Sequence, residues 1–118
     1  MIPIAQEKNF ENRLKKFLED EGCWCIKFFA NAYTKSGIPD LLINCSGYFV
    51  AVEVKAQNGK PSELQKWNIK KILDGYGIAM VLYPDQFDDF KEVVRLLNLG
   101  KSLEAMKIVN RINERWDK

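Results

Sequence analysis

The segment at residues 48–57, YFVAVEVKAQ, constrains the fold more than any other part of the chain, because it begins as a core strand and ends in charge. Side chains alternate between the two faces of a strand. One face carries Tyr48, Val50, Val52 and Val54, and the other carries Phe49, Ala51, Glu53 and Lys55. A buried strand does not carry Glu53 and Lys55 unless something compensates their charges. The rest of the chain has to supply that compensation.

The composition is that of a globular protein of one domain, which we expect to span residues 1–118. The 118 residues are 47% hydrophobic and 29% charged, with a net charge of only +2. No apolar run approaches the roughly 20 residues of a membrane helix, and the N-terminal segment lacks the apolar region of a signal peptide. We therefore expect a cytoplasmic protein that does not bind a membrane.

The sequence contains no histidine and three cysteines. The lack of histidine excludes Ser-His-Asp and Cys-His triads and histidine metal sites. Cys23 and Cys25 lie in an apolar segment without a second ligand pair, so we interpret them as buried thiols rather than a zinc site or a disulfide. Catalysis would have to rest on carboxylates, lysines, hydroxyls and a hard cation held by oxygen ligands.

The hydrophobic pattern predicts an α/β fold in which a mixed β-sheet is flanked by helices, in the order α-β-β-β-α-β-α-α. Asp85 and Ser102 are the predicted N-caps of the last two helices. The predicted helices span residues 6–21, 62–74, 85–97 and about 102–117, and the predicted strands span residues 23–30, 39–45, 48–56 and 78–83.

Ser46 and Gly47 predict a tight hairpin turn between the second and third strands. A two-residue turn there pairs residues whose numbers sum to 93, which places Asp40 opposite Glu53 with Cβ atoms roughly 5 Å apart. Facing carboxylates are destabilising unless a divalent cation bridges them. The alternative is that Glu53 and Lys55 form a salt bridge at an exposed strand end and that Asp40 caps a turn.

Three motifs carry a resemblance to a known family. They are GIPD at residues 37–40, Glu53-Val54-Lys55, and GKPSELQ at residues 59–65, preceded by a helix with Glu11 ahead of Gly22. Together they resemble the PD-(D/E)xK nuclease superfamily, and its VRR-NUC branch in particular. The resemblance covers about residues 7–90. It implies a restriction-endonuclease-like core at about residues 7–97, with the last helix outside the resemblance.

The resemblance implies metal-dependent hydrolysis of a phosphodiester bond. Asp40, Glu53 and the backbone carbonyl of Val54 would hold Mg²⁺ or Mn²⁺, and no organic cofactor is expected. Lys55 would contact the attacking water or a phosphate oxygen. The implied catalytic residues are Glu11, Asp40, Glu53, Lys55 and Gln65.

Several of these roles have a competitor within the sequence. Glu11 is an outer ligand or the anchor of a second metal, but Glu7 lies one helical turn earlier and can point the same way. Gln65 lies either beside the active site or in a capping box with Ser62, and the two roles are compatible.

The expected DNA contacts lie near the motifs. Lys27 resembles a basic position of the family, although a strand-end lysine that reaches for solvent is an equal alternative. The remaining expected contacts are Lys35, Ser36 and Lys60.

No sequence-reading module is visible, which favours recognition of nucleic-acid shape. Free-standing proteins of the VRR-NUC type look like phage enzymes related to Holliday junction resolvases. The resemblance therefore implies a structure-specific DNA endonuclease of repair or recombination, working as a homodimer in a bacterial or phage-infected cell. The last helix, with Trp116 at its end, belongs either to the dimer interface or to the chain's own core.

Two further functions stay open. One is a nuclease on flaps, nicked or linear DNA, and the other is a non-catalytic DNA-binding domain of the same fold.

Overall fold

The computed structural model describes residues 3–29 and 36–117. Its elements follow the predicted order, so the predicted α/β fold is confirmed, although most elements are shorter than their sequence patterns. The helices are α1 (Pro3–Asp20), α2 (Glu63–Asp74), α3 (Phe87–Asn98) and α4 (Ser102–Asn113), and a 3-10 helix (Pro84–Gln86) precedes α3. The strands are β1 (Trp24–Lys27), β2 (Leu41–Cys45), β3 (Tyr48–Val54) and β4 (Ile78–Leu82).

The hairpin between β2 and β3 has the register that the turn residues predict. Ser46 and Gly47 have positive φ angles of 52° and 89°, as a two-residue type I′ turn requires. Cys45 pairs with Tyr48, and the ladder runs to the Leu41–Val52 pair. The next pair in this register is Asp40 with Glu53, so the hairpin brings the two acidic residues to one end of the sheet.

The described residues form a mixed sheet in the order β1-β2-β3-β4. The pairs β1–β2 and β2–β3 are antiparallel, whereas β3 pairs with β4 in parallel through the α2 crossover. A parallel pair is covered on both faces, and every residue of β4 is buried. Glu53 therefore lies in the buried part of β3, Val50–Val54, opposite Val81 of β4.

The two faces of the sheet are covered unequally. Helices α1, α3 and α4 pack on one face and form the larger core, which includes Leu14, Met80 and Phe90. On the other face, α2 covers only the β3–β4 half, where Ile69 packs on Ala51 and Ala79. Among the described residues, no helix packs on the β1–β2 half of this second face, where Trp24 and Ile26 are exposed.

The C-terminal segment packs on the chain's own core. Trp116 is buried against the cluster that contains Val81 and Tyr83. Asn113, at the end of α4, donates from Nδ2 to the Ala79 carbonyl at 3.0 Å and accepts from the Val81 N–H at 3.3 Å. The last helix therefore completes the open edge of β4.

Both predicted N-caps are wrong. Asp85 lies inside the 3-10 helix, and Gln86 is the N-cap of α3 without a side-chain cap bond. The Asp85 carboxylate is held by Arg115 instead. Ser102 is the first residue of α4, with Lys101 in the cap position. Helix α3 starts one residue too late for Asp85 to cap it, and helix α4 starts one residue too early for Ser102 to cap it.

The three cysteines are free thiols, with Cys45 buried and Cys23 and Cys25 half-buried. Within residues 3–29 and 36–117, none of the helices combines the length and apolar character that a membrane span requires.

Candidate active site

Glu53 is a buried carboxylate at the end of β3, with 3% of its surface exposed. Its Oε2 accepts a hydrogen bond from Nε2 of Gln65 at 3.2 Å and lies 3.4 Å from Nζ of Lys55. No donor among the described residues reaches the buried Oε1. Burial raises the pKa of Glu53 to about 8, with the charge of Asp40 adding to the rise and Lys55 opposing it. The charged form of Glu53 is therefore destabilised, and its Oε1 has no hydrogen-bond donor among the described residues.

Asp40 stands beside Glu53 and is fixed by the backbone of β3. Its Oδ2 accepts a hydrogen bond from the N–H of Val54 at 2.9 Å. Its Oδ1 accepts from Nζ of Lys27 at 3.2 Å. The charge of the Asp40 carboxylate also raises the pKa of Glu53, after burial. Because like charges repel at this range, the pair favours either a shared proton or a cation.

Lys27 of β1 connects the first helix to this pair. Its Nζ donates to Oε1 of Glu11 at 2.6 Å as well as to Asp40. Burial alone would lower the pKa of Lys27, but its hydrogen bond to Glu11 and the charge of Asp40 raise it. Lys27 therefore stays charged between the two acids, in contact with the candidate catalytic residues.

The structure places both candidate acids of α1 at the site. Glu11 is 3% exposed, and burial, which would raise its pKa, is outweighed by Lys27 and its other lysine neighbours, so that its pKa is lowered. The pKa of Glu7 is raised, first by burial and then by Asp40, while Lys55 and Lys27 oppose the rise. Both acids line a cavity of about 170 Å³ with Lys27. Glu11 is bonded into the network, and Glu7 faces the same charges from the next turn.

Gln65 serves both of its predicted roles at once. Its Oε1 accepts from the Ser62 N–H at 2.8 Å, and its own N–H donates to Oγ of Ser62 at 3.1 Å. This reciprocal pair is the predicted capping box. Its remaining amide group, Nε2, donates to Glu53. The start of α2 therefore holds the Glu53 carboxylate in place.

Asn68 is a site residue that the sequence reasoning missed. It is buried on the inner side of α2, and its Nδ2 donates to the carbonyls of Gly37 at 3.0 Å and Leu64 at 3.1 Å. These bonds hold the segment that leads into Asp40. The only signal in the sequence was an amide beside the apolar Ile69 on a helix that packs on a sheet.

Of the other predicted DNA contacts, two lie within the described residues. Ser36 is exposed next to Gly37, and Lys60 is exposed on the loop after β3. Lys60 lines a groove of about 570 Å³ together with Arg115 and Trp116. Lys35, in contrast, lies outside the described residues.

The residues present fit a hard divalent cation. The donors are oxygens of Asp40 and Glu53, one of them buried without a hydrogen-bond partner. Mg²⁺ prefers one or two carboxylates and keeps several waters. The described part of the chain has no cluster of three acidic, cysteine or histidine side chains placed to hold a metal. Within the described residues, the fit to a cation therefore rests on the two carboxylates.

Two comparisons with known proteins bear on the site. The family model described as archaeal Holliday junction resolvase (hjc) matches residues 5–77. The matched range is more than half of the chain and runs from α1 to the residue before β4, so it includes every residue of the carboxylate network described above. A search of curated proteins finds no match to the chain.

Proposed function

Since the chain belongs to the archaeal Holliday junction resolvase family, within the PD-(D/E)xK nuclease superfamily, we propose that it is a metal-dependent endonuclease that cuts four-way DNA junctions. The observation that carries the proposal is the Asp40–Glu53 pair, in which a buried carboxylate oxygen has no donor and Lys55 lies 3.4 Å from the other oxygen. The VRR-NUC branch and a phage origin stay predictions beside this family. DNA as the substrate also supports the predicted cytoplasmic location.

Asp40, Glu53 and the backbone carbonyl of Val54 would hold one Mg²⁺ or Mn²⁺. When bound, the cation polarises the scissile phosphate and lowers the pKa of its water ligand. Gln65 and the Val54 N–H keep the two carboxylates oriented, since each bonds one of their oxygens. Lys55 contributes a positive charge next to Glu53, where it would stabilise charge that develops on the phosphate.

Lys27 and Glu11 would act at the edge of the site. Lys27 keeps its proton and lies between two acids, so it can offer a fixed positive charge to a phosphate oxygen. Ser36 and Lys60, which are both exposed, would contact the DNA backbone. Lys35 stays a predicted contact of the same kind.

A homodimer would form through the uncovered half of the sheet and the adjoining side of α2. Trp24 and Phe49 are 61% and 49% exposed there, next to Ile26 at 42%, and Leu64 and Trp67 of α2 are 43% and 48% exposed. Trp24 and Phe49 lie in one row, because each is paired with Asn44. These side chains present on the order of 500 Å² of apolar surface, near the upper limit for a monomer. With a polar rim, this area approaches the roughly 800 Å² per partner of a stable interface.

Charge on this face is expected to separate the protomers. The double variant Trp24→Glu, Phe49→Glu should halve the mass measured by light scattering at micromolar protein, because two carboxylates would be buried against each partner. The matched control is Leu103→Glu on α4, where the side chain is 82% exposed, and it should keep the mass of the unmodified chain. A monomeric unmodified chain, or a double variant that stays dimeric, would remove this face as the interface.

The proposed function is tested with labelled four-way junction, flap, nicked and linear duplex DNA in Mg²⁺, Mn²⁺ and EDTA. Paired cuts on the junction, lost in EDTA, are expected. Cutting of flaps or linear duplex in preference to the junction would show that the protein is a nuclease with another preferred DNA substrate. Binding of the junction without cutting in either metal would reduce the chain to a DNA-binding domain.

A further inference from the structure

The turn that follows Lys55 passes close to the side chain of this lysine. The N–H of Gly59 donates to the Ala56 carbonyl at 2.9 Å and closes the turn at residues 56–59. A Cβ built at Gly59 would lie 3.5 Å from Cδ of Lys55, so the space between the turn and the stem of Lys55 is that of a single methyl group. The position of the turn therefore limits where the stem of Lys55 can go, and with it the ammonium group.

Gln57 fixes this turn to other parts of the fold. Its N–H donates to Oε1 of Gln6 in α1 at 2.6 Å, and its Nε2 donates to Oδ2 of Asp85 at 2.7 Å. Its carbonyl accepts from Nη2 of Arg115 at 3.0 Å. One residue of the turn is thus bonded to the first helix, the 3-10 helix and the C-terminal turn.

Arg115 joins two of these bonds into a network. Its Nη1 lies 2.5 Å from Oδ1 of Asp85, while Nη2 bonds Gln57. Its guanidinium stacks over the ring of Tyr83 at 3.8 Å. A planar, always charged guanidinium that is both stacked and hydrogen-bonded has little conformational freedom, and the ammonium group of a lysine cannot reproduce this set of contacts. Arg115 lies outside the residues that match the family.

We propose that Arg115 is a positioning residue for DNA cleavage, which holds the turn at residues 56–59 through Gln57 and Asp85 so that Lys55 stays beside Glu53. The inference rests on the proposed function in one respect, the use of Lys55 in the reaction. It assigns a part in that reaction to the C-terminal segment, whose other contacts serve the core.

The test compares Arg115→Met with Arg111→Met in the chain of residues 1–118. Arg111 is a matched control because it also belongs to the C-terminal segment and forms an exposed ion pair, with Asp89 at 3.0 Å, that does not touch Gln57. Three quantities are measured: hydrogen exchange of the peptide at residues 55–60 without metal, the single-turnover cleavage rate at saturating protein, and the Kd for the junction.

Arg115→Met should speed exchange at residues 55–60 and lower the single-turnover rate by about tenfold, since small displacements of a reacting group are costly. The Kd should stay within about twofold, because the substitution removes orientation and not a DNA contact. Arg111→Met should change none of the three quantities. Arg115→Lys, which keeps the charge but can make only part of the network, should recover part of the rate.

Equal exchange at residues 55–60 in the two methionine variants would overturn the proposal, whatever the cleavage result. A weaker Kd at an unchanged cleavage rate would also overturn it, because Arg115 would then contact DNA. If the unmodified chain cuts no DNA, the proposed function fails separately, and exchange still decides whether Arg115 fixes the turn against Lys55.

Discussion

Glu53→Gln is expected to abolish cleavage, with a loss on the order of 1000-fold, and to leave the fold more stable than the unmodified chain at alkaline pH. The amide keeps the shape of the side chain and can still accept a hydrogen bond from Gln65. It removes the negative charge that burial and Asp40 disfavour. A neutral amide is a poor ligand for Mg²⁺, so activity and stability should change in opposite directions.

The gain in stability depends on pH in a defined direction. The pKa of Glu53 is raised from 4.5 to about 8 in the folded chain, so the folded state holds a proton that the unfolded state releases. The stabilisation is present below pH 4.5 and is lost as the pH rises towards 8. At about 1.4 kcal/mol for each tenfold change in proton affinity, the loss approaches roughly 5 kcal/mol as an upper limit. Glu53→Gln does not lose this stabilisation at alkaline pH, because its amide does not titrate.

The measurement is thermal unfolding in EDTA at pH 6 and pH 9. From pH 6 to pH 9, the Tm of the unmodified chain should decrease relative to that of Glu53→Gln. Glu63→Gln is the control, since its side chain is 91% exposed, and its Tm should follow that of the unmodified chain. Retained cleavage in Glu53→Gln would remove Glu53 from the reaction. A Tm of Glu53→Gln below that of the unmodified chain at pH 9 would contradict the claim that burial destabilises the charged form of Glu53.

Gly37→Ala is expected to destabilise the fold by about 3 kcal/mol and to lower cleavage by at least tenfold. Gly37 has a φ of +77°, which favours glycine. A Cβ there would lie 2.7 Å from Cγ of Leu64 and 2.9 Å from Nδ2 of Asn68. Relief requires either a shift of α2, which also carries Gln65, or a shift of the segment that leads into Asp40. Either shift separates the two carboxylates from the groups that orient them.

Gly22→Ala separates the two causes of this effect. Gly22 has nearly the same φ, +79°, but nothing lies within 4 Å of a Cβ built there. Urea unfolding should therefore show only the backbone cost, about 1 kcal/mol, with cleavage unchanged. Equal effects of the two substitutions would mean that the contact of Gly37 with Leu64 and Asn68 is not what positions Asp40.

The parts of the fold that follow from local chemistry were predictable from the sequence. Ser46 and Gly47 set the hairpin register, because a two-residue turn allows one pairing, and this pairing carries Asp40 to Glu53. The capping box of Gln65 was visible for the same reason, since it is decided within four residues, whereas the position of Gln65 beside Glu53 was implied only by the family resemblance.

The rest of the site depends on distances between elements, which no local pattern contains. Lys27 meets Asp40 because β1 pairs with β2, and it meets Glu11 because α1 packs beside β1. Arg115 meets Gln57 from 58 positions further along the chain. The prediction that Asp85 caps α3 failed for a related reason, because its carboxylate pairs with Arg115 and not with a helix terminus.

The amide of Asn113 has a consequence for folding during synthesis. It supplies the hydrogen bonds that a neighbouring strand would otherwise give to Ala79 and Val81. An edge strand that lacks such cover pairs readily with other chains. Because α4 is synthesised after β4, a nascent chain that has folded only as far as β4 exposes this edge until Asn113 has left the ribosome. Slow synthesis or termination between β4 and Asn113 would therefore favour aggregation by strand pairing more strongly than the stability of the finished fold indicates.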